Sequence, residues 1–214
     1  KQNGEIIISD LLINIYDGWL YLMLASILLI FSVYLRALRW NYLFQSNRLI
    51  SISDLFSAQL VGYFINNISP VRIGDFAKSY LIAKKTDKKN SYILGSIIME
   101  RALDTIMLII FMFVVIWYYG SEYLNINFSL IPLYIFIPFI LFSILLVYYS
   151  RFLIPHSIKN VLNEIWQGFT AIDFSKKSLV IFSSFTIWSI YWVNVFLIQS
   201  VFSLNLNFLD CLFI

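Results

Sequence analysis

The sequence predicts an all-α, polytopic membrane protein, and three observations support this fold class. The 214 residues are 60% hydrophobic, 19% aromatic and 13% charged, which leaves too little polar surface for a soluble fold. Several apolar segments reach the roughly 20 residues that a helix needs to cross a bilayer. Most of the basic residues lie between these segments, as is typical of membrane proteins, whose orientation is set by the positive charges of their loops.

Four segments are long and apolar enough to be full spans. They cover residues 19–35, 92–119, 130–149 and 179–202. We interpret Arg36 and Arg39 as the charged end of the first span, and Pro138 predicts a kink in the third.

We expect a single transmembrane domain over residues 1–214. The chain begins at Lys1 without Met and ends at Ile214 inside an apolar run. We therefore expect it to be a fragment of a larger helical bundle, truncated at both ends.

Residues 54–84 predict a helical hairpin that does not cross the membrane. Its arms, 55–66 and 70–83, would each be about 18 to 21 Å long as helices, against a hydrocarbon core of about 30 Å. The sequence favours a re-entrant hairpin that dips from the cytoplasmic side, with its turn at residues 66–69 buried in protein. A pair of amphipathic surface helices is the alternative.

Residues 157–170 predict an amphipathic helix on the membrane surface. Ile158, Val161, Ile165 and Phe169 recur at helical spacing, with polar residues opposite them. Such a helix lies in the plane of the interface.

The basic residues predict the orientation of the chain. If the spans alternate, twelve of the 15 Lys and Arg residues fall on one side, which should be the cytoplasmic side. They are Arg36, Arg39, Arg48, Lys78, Lys84, Lys85, Lys88, Lys89, Arg151, Lys159, Lys176 and Lys177.

The predicted turn of the hairpin is rich in polar residues. Ser69 followed by Pro70 predicts a helix start, because Ser caps free amides and Pro loses no hydrogen bond at the first helical position. Arg72 would lie in the first turn of this helix, with the side chains of Asn66 and Asn67 beside it. A helix N-terminus inside the membrane is a suitable anion site, and a lipid phosphate is the expected ligand.

The span that begins near residue 92 has a polar side. Glu100, Arg101 and Asp104 lie deep enough that unpaired charges would be costly in lipid. We expect them to face the hairpin and to form a network with Arg72 and Asp75. Two purely structural alternatives stay open: an Arg72–Asp75 pair that fixes the hairpin, and an ion network that only locks the helices together.

Other chemistry finds little support in the sequence. His156 is the sole histidine and there is a single cysteine, so we expect no metal site. Motifs for nucleotide cofactors or hydrolytic catalysis are absent, and we expect neither a cofactor nor catalytic residues. The basic segment 83–90 should contact anionic head groups rather than nucleic acid.

Three ordered motifs carry a family resemblance. LRALRW, NNISPVRIGDFAKSYLI and MERALDTIML, which together fall within residues 35–108, resemble the transmembrane region of the lysylphosphatidylglycerol synthase family, also called the flippase-like domain family. Positions that match the family motifs are Asn67, Pro70, Arg72, Gly74, Asp75, Glu100, Arg101 and Asp104. Asp75 stands where Glu is common in the family, and Lys78 where Arg is common.

The resemblance implies a multi-pass protein of a bacterial or archaeal cytoplasmic membrane that moves a lipid or lipid-linked molecule between leaflets. The second half of the family's domain, with a Pro- and Gly-rich break of its own, would lie beyond Ile214. Members with synthase activity carry it in a separate soluble domain, and nothing in this chain resembles one. A separate synthase partner and a homo-oligomer are both compatible with this pattern.

Three functional hypotheses follow. The first is a lipid flippase or transporter in which the hairpin and Arg72 hold an anionic or phosphate-bearing head group while Glu100, Arg101 and Asp104 line the path. The second is a membrane enzyme, or a subunit of one, acting on a lipid or polyprenol-linked substrate with Glu100 or Asp104 as general base. The third is a scaffold without transport or catalytic activity.

Overall fold

The computed structural model describes residues 8–119 and 156–212, apart from positions 44, 45, 47, 48, 72, 203, 205 and 209. These residues form helices and no strand, which confirms the all-α fold class. The helices are α1 (Ile8–Asp17), α2 (Trp19–Leu43), α3 (Ile52–Ile68), α4 (Gly74–Lys85), α5 (Asn90–Tyr119), α6 (His156–Phe169) and α7 (Lys177–Val201). The predicted span at 130–149 lies outside the described residues.

Helices α2 and α7 pair along their whole length. Both have the length and apolar composition of a bilayer span, the only two helices of the described part that meet this test. Arg39 near the end of α2 bonds Ser184 near the start of α7. At the opposite end, a Cβ on Gly18 would lie 2.8 Å from Val201 Cγ1, so the two helices are antiparallel and in close contact.

Helix α2 is longer than the sequence predicted. It continues to Leu43, so Arg36 and Arg39 lie within the helix and are buried. The prediction that these arginines form the charged end of the span is therefore wrong. Lys78 is buried as well, and these three cations do not belong to the basic surface that was used to predict orientation. They are buried because they pair with carboxylates of α5 and α4.

Helices α3 and α4 pack together as a hairpin whose two outer ends lie side by side. There Lys85 at the end of α4 pairs with Asp54 at the start of α3, and this bond holds the pKa of the Asp54 carboxyl below its usual range. Near the turn the backbones touch, because a Cβ on Gly74 would lie 2.0 Å from the carbonyl oxygen of Gly62. The depth of the hairpin in the membrane stays a prediction.

The predicted helix start at Ser69 and Pro70 is wrong. The Ser69 N–H donates to Ile65 O and ends α3, and α4 begins only at Gly74. The Gly74 N–H donates to Asn66 Oδ1 at 2.8 Å, so the cap comes from a side chain eight residues earlier. A local capping pattern could not reveal this.

Helix α6 lies across the start of α5. The two backbones meet at two glycines: a Cβ on Gly95 would lie 2.0 Å from Ile165 O, and one on Gly168 would lie 1.8 Å from Tyr92 O. Lys89 also pairs with Glu164, a bond that lowers the pKa of this carboxyl. Several large apolar side chains of α6 remain exposed: Ile158, Val161, Leu162 and Trp166.

The apolar core lies between α2, the hairpin and α5. Its buried members include Trp40, Leu43, Leu55, Ile82 and Ile93. The Trp40 indole N–H donates to Ser96 Oγ at 3.0 Å, and the Trp40 ring lies under the Lys78 ammonium at 5.1 Å. The core thus adjoins a group of buried charges.

Candidate functional site: a buried charged cluster

Glu100 on α5 is fully buried, with 0% of its surface exposed, and donors from three helices surround it. Its Oε2 accepts from Lys78 Nζ at 3.1 Å, and its Oε1 accepts from Arg36 and Arg39 at 3.4 Å each. Gln59 Nε2 lies 3.3 Å from both oxygens. Glu100 therefore joins α5 to α2, α3 and α4 through one carboxylate.

Asp104, one turn further along α5, binds the same two arginines at shorter distances. Arg36 Nη1 lies 2.8 Å from Asp104 Oδ2, and Arg39 Nη2 lies 2.8 Å from Asp104 Oδ1. Each arginine thus bridges Asp104 and Glu100, and both lie on the same side of α2 because they are three residues apart. Burying ionised groups costs less free energy when they are paired and hydrogen-bonded in this way.

Asp75 and Arg101 form the exposed edge of this group. Arg101 Nη2 lies 2.9 Å from Asp75 Oδ1, and Lys78 Nζ lies 3.4 Å from the same oxygen. The Arg101 side chain is 41% exposed and that of Asp75 32%, whereas Lys78 is almost fully buried. We call the following eight residues the charged cluster: Arg36, Arg39, Gln59, Asp75, Lys78, Glu100, Arg101 and Asp104.

Helix α7 supports the two arginines from the other side. The Tyr191 hydroxyl accepts from Arg36 Nε at 2.9 Å, and the Ser184 hydroxyl accepts from Arg39 Nη1 at 2.9 Å. The Arg36 guanidinium also lies 5.5 Å from the centre of the Tyr191 ring. Arg39 Nε is buried and has no hydrogen-bond partner among the described residues.

The charges of the cluster do not cancel. Its cations are Arg36, Arg39, Lys78 and Arg101, and its carboxylates are Asp75, Glu100 and Asp104. Four minus three leaves a formal excess of one positive charge. In a low-dielectric environment such an excess favours an anion nearby.

The structure brings together four of the residues singled out from the sequence: Asp75, Glu100, Arg101 and Asp104. The two asparagines are placed differently. Asn66 caps α4, Asn67 is exposed, and Arg72 lies outside the described residues.

The expected anion site at the N-terminus of α4 has fewer free donors than predicted. The Gly74 N–H is bound by Asn66, and the amides of Phe76 and Ala77 donate to Ile73 O. An anion at this end would have to be held mainly by side chains.

Sequence reasoning missed four members of the cluster: Arg36, Arg39, Gln59 and Lys78. The sequence did contain a pattern that could have revealed the two arginines. Their i, i+3 spacing places them on one side of a helix, just as the i, i+4 spacing of Glu100 and Asp104 places two carboxylates on one side of another. Gln59 carried no comparable signal. Within the described part of the chain, no group of three or more His, Cys, Asp and Glu residues could hold a metal ion.

Comparison with known proteins agrees with the motifs. The sequence profile of the lysylphosphatidylglycerol synthase TM region matches residues 9–214. A UPF0104 membrane protein of Methanocaldococcus jannaschii is 34% identical over 160 residues, covering 68% of this chain and 64% of the relative. A UPF0104 membrane protein of Pyrococcus horikoshii is 30% identical over 102 residues, covering 46% of this chain and 30% of the relative.

The chain therefore spans about two thirds of the first of these relatives and less than a third of the second. No solved structure matches it. The match over nearly the whole chain establishes that this membrane protein belongs to the family of lysylphosphatidylglycerol synthase transmembrane regions.

Proposed function

We propose that the chain forms part of a lipid flippase, a transporter that moves a lipid or lipid-linked anionic substrate between the leaflets of the cytoplasmic membrane. The observation that carries this proposal is the charged cluster, with its excess of one cation, among helices of a membrane domain. Membership of a lipid-related family supports the same role.

The electrostatics of the cluster favour an anionic head group. An unpaired charge at depth in a bilayer costs several kcal/mol, and a phosphate beside the cluster would offset the excess positive charge. Glu100 and Asp104 hold Arg36 and Arg39 in place. In the proposed transport path, the role of Glu100 and Asp104 is to keep these two arginines in position.

Arg101 is the member of the cluster best placed to meet the head group. Its side chain is the most exposed of the four cations, and a single carboxylate, Asp75, binds it closely. A guanidinium can bind a phosphate through two parallel hydrogen bonds. We propose that Arg72, two positions before α4, joins Arg101 in holding the phosphate.

The hairpin would place this site within the bilayer. Its turn region exposes four large apolar side chains, Phe64, Ile68, Val71 and Phe76, which suit lipid or neighbouring protein better than water. This supports the re-entrant position over a pair of helices on the membrane surface, whose apolar residues would form one stripe.

Leaflet transfer tests the proposal directly. The full-length protein is reconstituted in liposomes with a fluorescent anionic phospholipid, and loss of fluorescence to a membrane-impermeant quencher reports transfer. Arg101→Gln should slow transfer about tenfold or more, because it removes a charge-assisted contact to the phosphate. Arg72→Ala should have the same effect.

Lys159→Gln is the matched control, since it removes the same charge from an exposed position on α6 and should leave the rate unchanged. Wild-type transfer by both Arg101→Gln and Arg72→Ala would contradict the proposal. If the substitutions changed only thermal stability in a protein that transfers no lipid, the scaffold hypothesis would gain support.

The enzyme hypothesis has one discriminating observation. A general base must reach the proton that it removes, but Glu100 is fully buried and donors occupy both of its oxygens. Asp104 is bound by two arginines at 2.8 Å. A lipid product of changed mass, formed by the purified full-length protein alone, would favour the enzyme over the transporter.

A further inference from the structure

Asp75 binds Arg101 in the way that a phosphate would. Arg101 Nη2 donates to Asp75 Oδ1 at 2.9 Å, and Arg101 Nε donates to Asp75 Oδ2 at 3.3 Å. A guanidinium binds two oxygens of a phosphate through the same kind of paired hydrogen bonds. The carboxylate of Asp75 therefore occupies an edge of Arg101 that a head-group phosphate could use.

The other edge of this guanidinium also faces a carboxylate. Arg101 Nη1 lies 3.9 Å from Asp104 Oδ2. A phosphate placed against Arg101 while both carboxylates stay in position would be repelled by Asp75 on one side and by Asp104 on the other. Close binding of a phosphate to Arg101 thus requires one of the two carboxylates to move away.

Asp75 is the carboxylate that can move at the lower cost. Asp104 is bound by two arginines of α2 at 2.8 Å each, and its side chain is only 13% exposed. The side chain of Asp75 is 32% exposed, and its second cation, Lys78, lies further away at 3.4 Å. Because a short side chain at the edge of the cluster can change rotamer without a change of backbone, Asp75 can leave Arg101 locally.

Lys78 keeps Asp75 paired after such a move. The two residues lie three positions apart on α4, and Lys78 Nζ is the cation nearest to Asp75 Oδ1 after Arg101. A carboxylate that turns from Arg101 to Lys78 leaves no buried charge without a partner. The cluster has four cations and three carboxylates, so one bound phosphodiester would bring the two signs to equality.

We propose that Asp75 is a displaceable competitor for the anion site. In the empty protein it binds Arg101, and the phosphate of the head group takes its place while Asp75 turns to Lys78. Asp75 thereby lowers the affinity of the site and returns to Arg101 when the phosphate leaves. This inference rests on the proposed function and identifies the residue that regulates its anion site.

Binding of short-chain phosphatidylglycerol to the purified full-length protein in an uncharged detergent tests this inference without requiring transport. Asp75→Asn removes the competing charge with little change of shape. It should bind this lipid about tenfold more tightly than wild type if the Asp75–Arg101 pair is formed about nine-tenths of the time. Microscale thermophoresis would measure the two dissociation constants.

The variant should still assemble, because Lys78 keeps Glu100 as its partner at 3.1 Å and Arg101 is 41% exposed. Asp75→Ser is the second variant without the charge, should Asp75→Asn fail to fold. Asp75→Glu keeps a competing carboxylate and should bind the lipid with nearly wild-type affinity.

A double variant separates competition at Arg101 from a general increase in positive charge. If Asp75 competes for Arg101, Asp75→Asn should bring no gain in affinity once Arg101→Gln is present. A general increase in positive charge would raise the affinity by the same factor in both backgrounds, and that result would overturn the inference.

Asp54→Asn is the matched control. It makes the same chemical change at the outer end of the hairpin, where Asp54 pairs with Lys85, about 15 Å along α4 from Asp75. It should bind the lipid like wild type. A gain in affinity as large as that of Asp75→Asn would likewise overturn the inference.

Inorganic phosphate is the second probe, because a lipid head group and a free phosphate present the same oxygens to Arg101. The Arg101-dependent gain should appear with phosphatidylglycerol. If it appeared with inorganic phosphate alone, the exchange at Arg101 would be supported and a lipid occupant contradicted.

Failure of the proposed function is distinguishable from failure of the inference. A protein that shows the Arg101-dependent gain in Asp75→Asn but transfers no lipid would contradict the flippase proposal alone. A protein whose transfer depends on Arg101 but whose affinity does not rise in Asp75→Asn would contradict the present inference alone.

Discussion

At the scale of single residues, Glu100 is the carboxylate on which the charged cluster converges. Five hydrogen bonds reach its carboxylate from Arg36, Arg39, Gln59 and Lys78. Removing one partner from a buried ion network leaves the others uncompensated, which costs more than the network contributes as a whole. The charge on Glu100 is therefore needed to keep three cations buried.

Glu100→Gln should consequently lower stability by about 3 to 5 kcal/mol. Thermal unfolding of the full-length protein in detergent would measure this as a lower midpoint. Glu164→Gln is the control, since Glu164 pairs with the exposed Lys89 at the surface, and its midpoint should stay close to that of wild type. Equal midpoints for Glu100→Gln and wild type would show that the cluster does not depend on this charge.

Two adjacent asparagines test how α4 is capped. Asn66→Ala removes the acceptor for the Gly74 N–H and should destabilise the protein by about 1 kcal/mol, as is usual for the loss of a capping residue. Asn67 is exposed, so Asn67→Ala should unfold at the wild-type midpoint. A larger loss of stability for Asn67→Ala than for Asn66→Ala would be inconsistent with this cap.

At the scale of helices, glycines set the closest contacts. The crossing of α5 and α6 brings Gly95 against Ile165 O and Gly168 against Tyr92 O, where a Cβ would lie within 2.0 Å of backbone oxygen. Neither backbone can yield locally without shifting a helix. In the hairpin, Gly74 is as tightly placed, but a Cβ on Gly62 would lie 3.2 Å from Gly74 O, which a small adjustment can accommodate.

Gly95→Ala should therefore displace α6 and destabilise the protein by about 1 to 3 kcal/mol, the usual cost of overpacking. Gly62→Ala is the graded control and should cost much less. Thermal unfolding of both variants, with limited proteolysis to detect release of α6, would measure the difference. If Gly62→Ala proved the more harmful, the contact between α5 and α6 would be looser than described.

At the scale of the whole molecule, surface lysines gather at one end of the helix bundle. The end of α2, the open end of the hairpin and the start of α7 meet there, as shown by the Lys85–Asp54 pair and by Lys176 over the Tyr42 ring at 5.4 Å. Although Arg36, Arg39 and Lys78 are buried, the remaining lysines still predict that this end is cytoplasmic.

Labelling of introduced cysteines would establish the orientation. In a Cys211→Ser background, a membrane-impermeant thiol reagent should label Leu204→Cys in intact cells and Lys159→Cys only after the membrane is opened. Leu204 follows the end of α7 and is exposed, whereas Lys159 lies on α6 beside the basic end. The reverse labelling pattern would mean that the chain is inverted.

The sequence by itself determined the all-α membrane fold, because hydrophobic length and charge distribution are local properties of the chain. It also predicted that Asp75, Glu100, Arg101 and Asp104 lie in one network, since ionised residues within apolar segments need partners. It failed at Ser69 and Pro70, where a favourable capping pattern was overruled by the cap that Asn66 supplies.

Only the tertiary structure decided which charges meet. Arg36 and Arg39 resembled the flank of a span, and their burial depends on carboxylates more than 60 residues away on α5. Whether Asn194 is bonded likewise depends on what surrounds α7 rather than on its own segment. The physical reason is that a buried charge or amide is stabilised by the groups that surround it in space. Its own segment of sequence does not show which distant residues supply those groups.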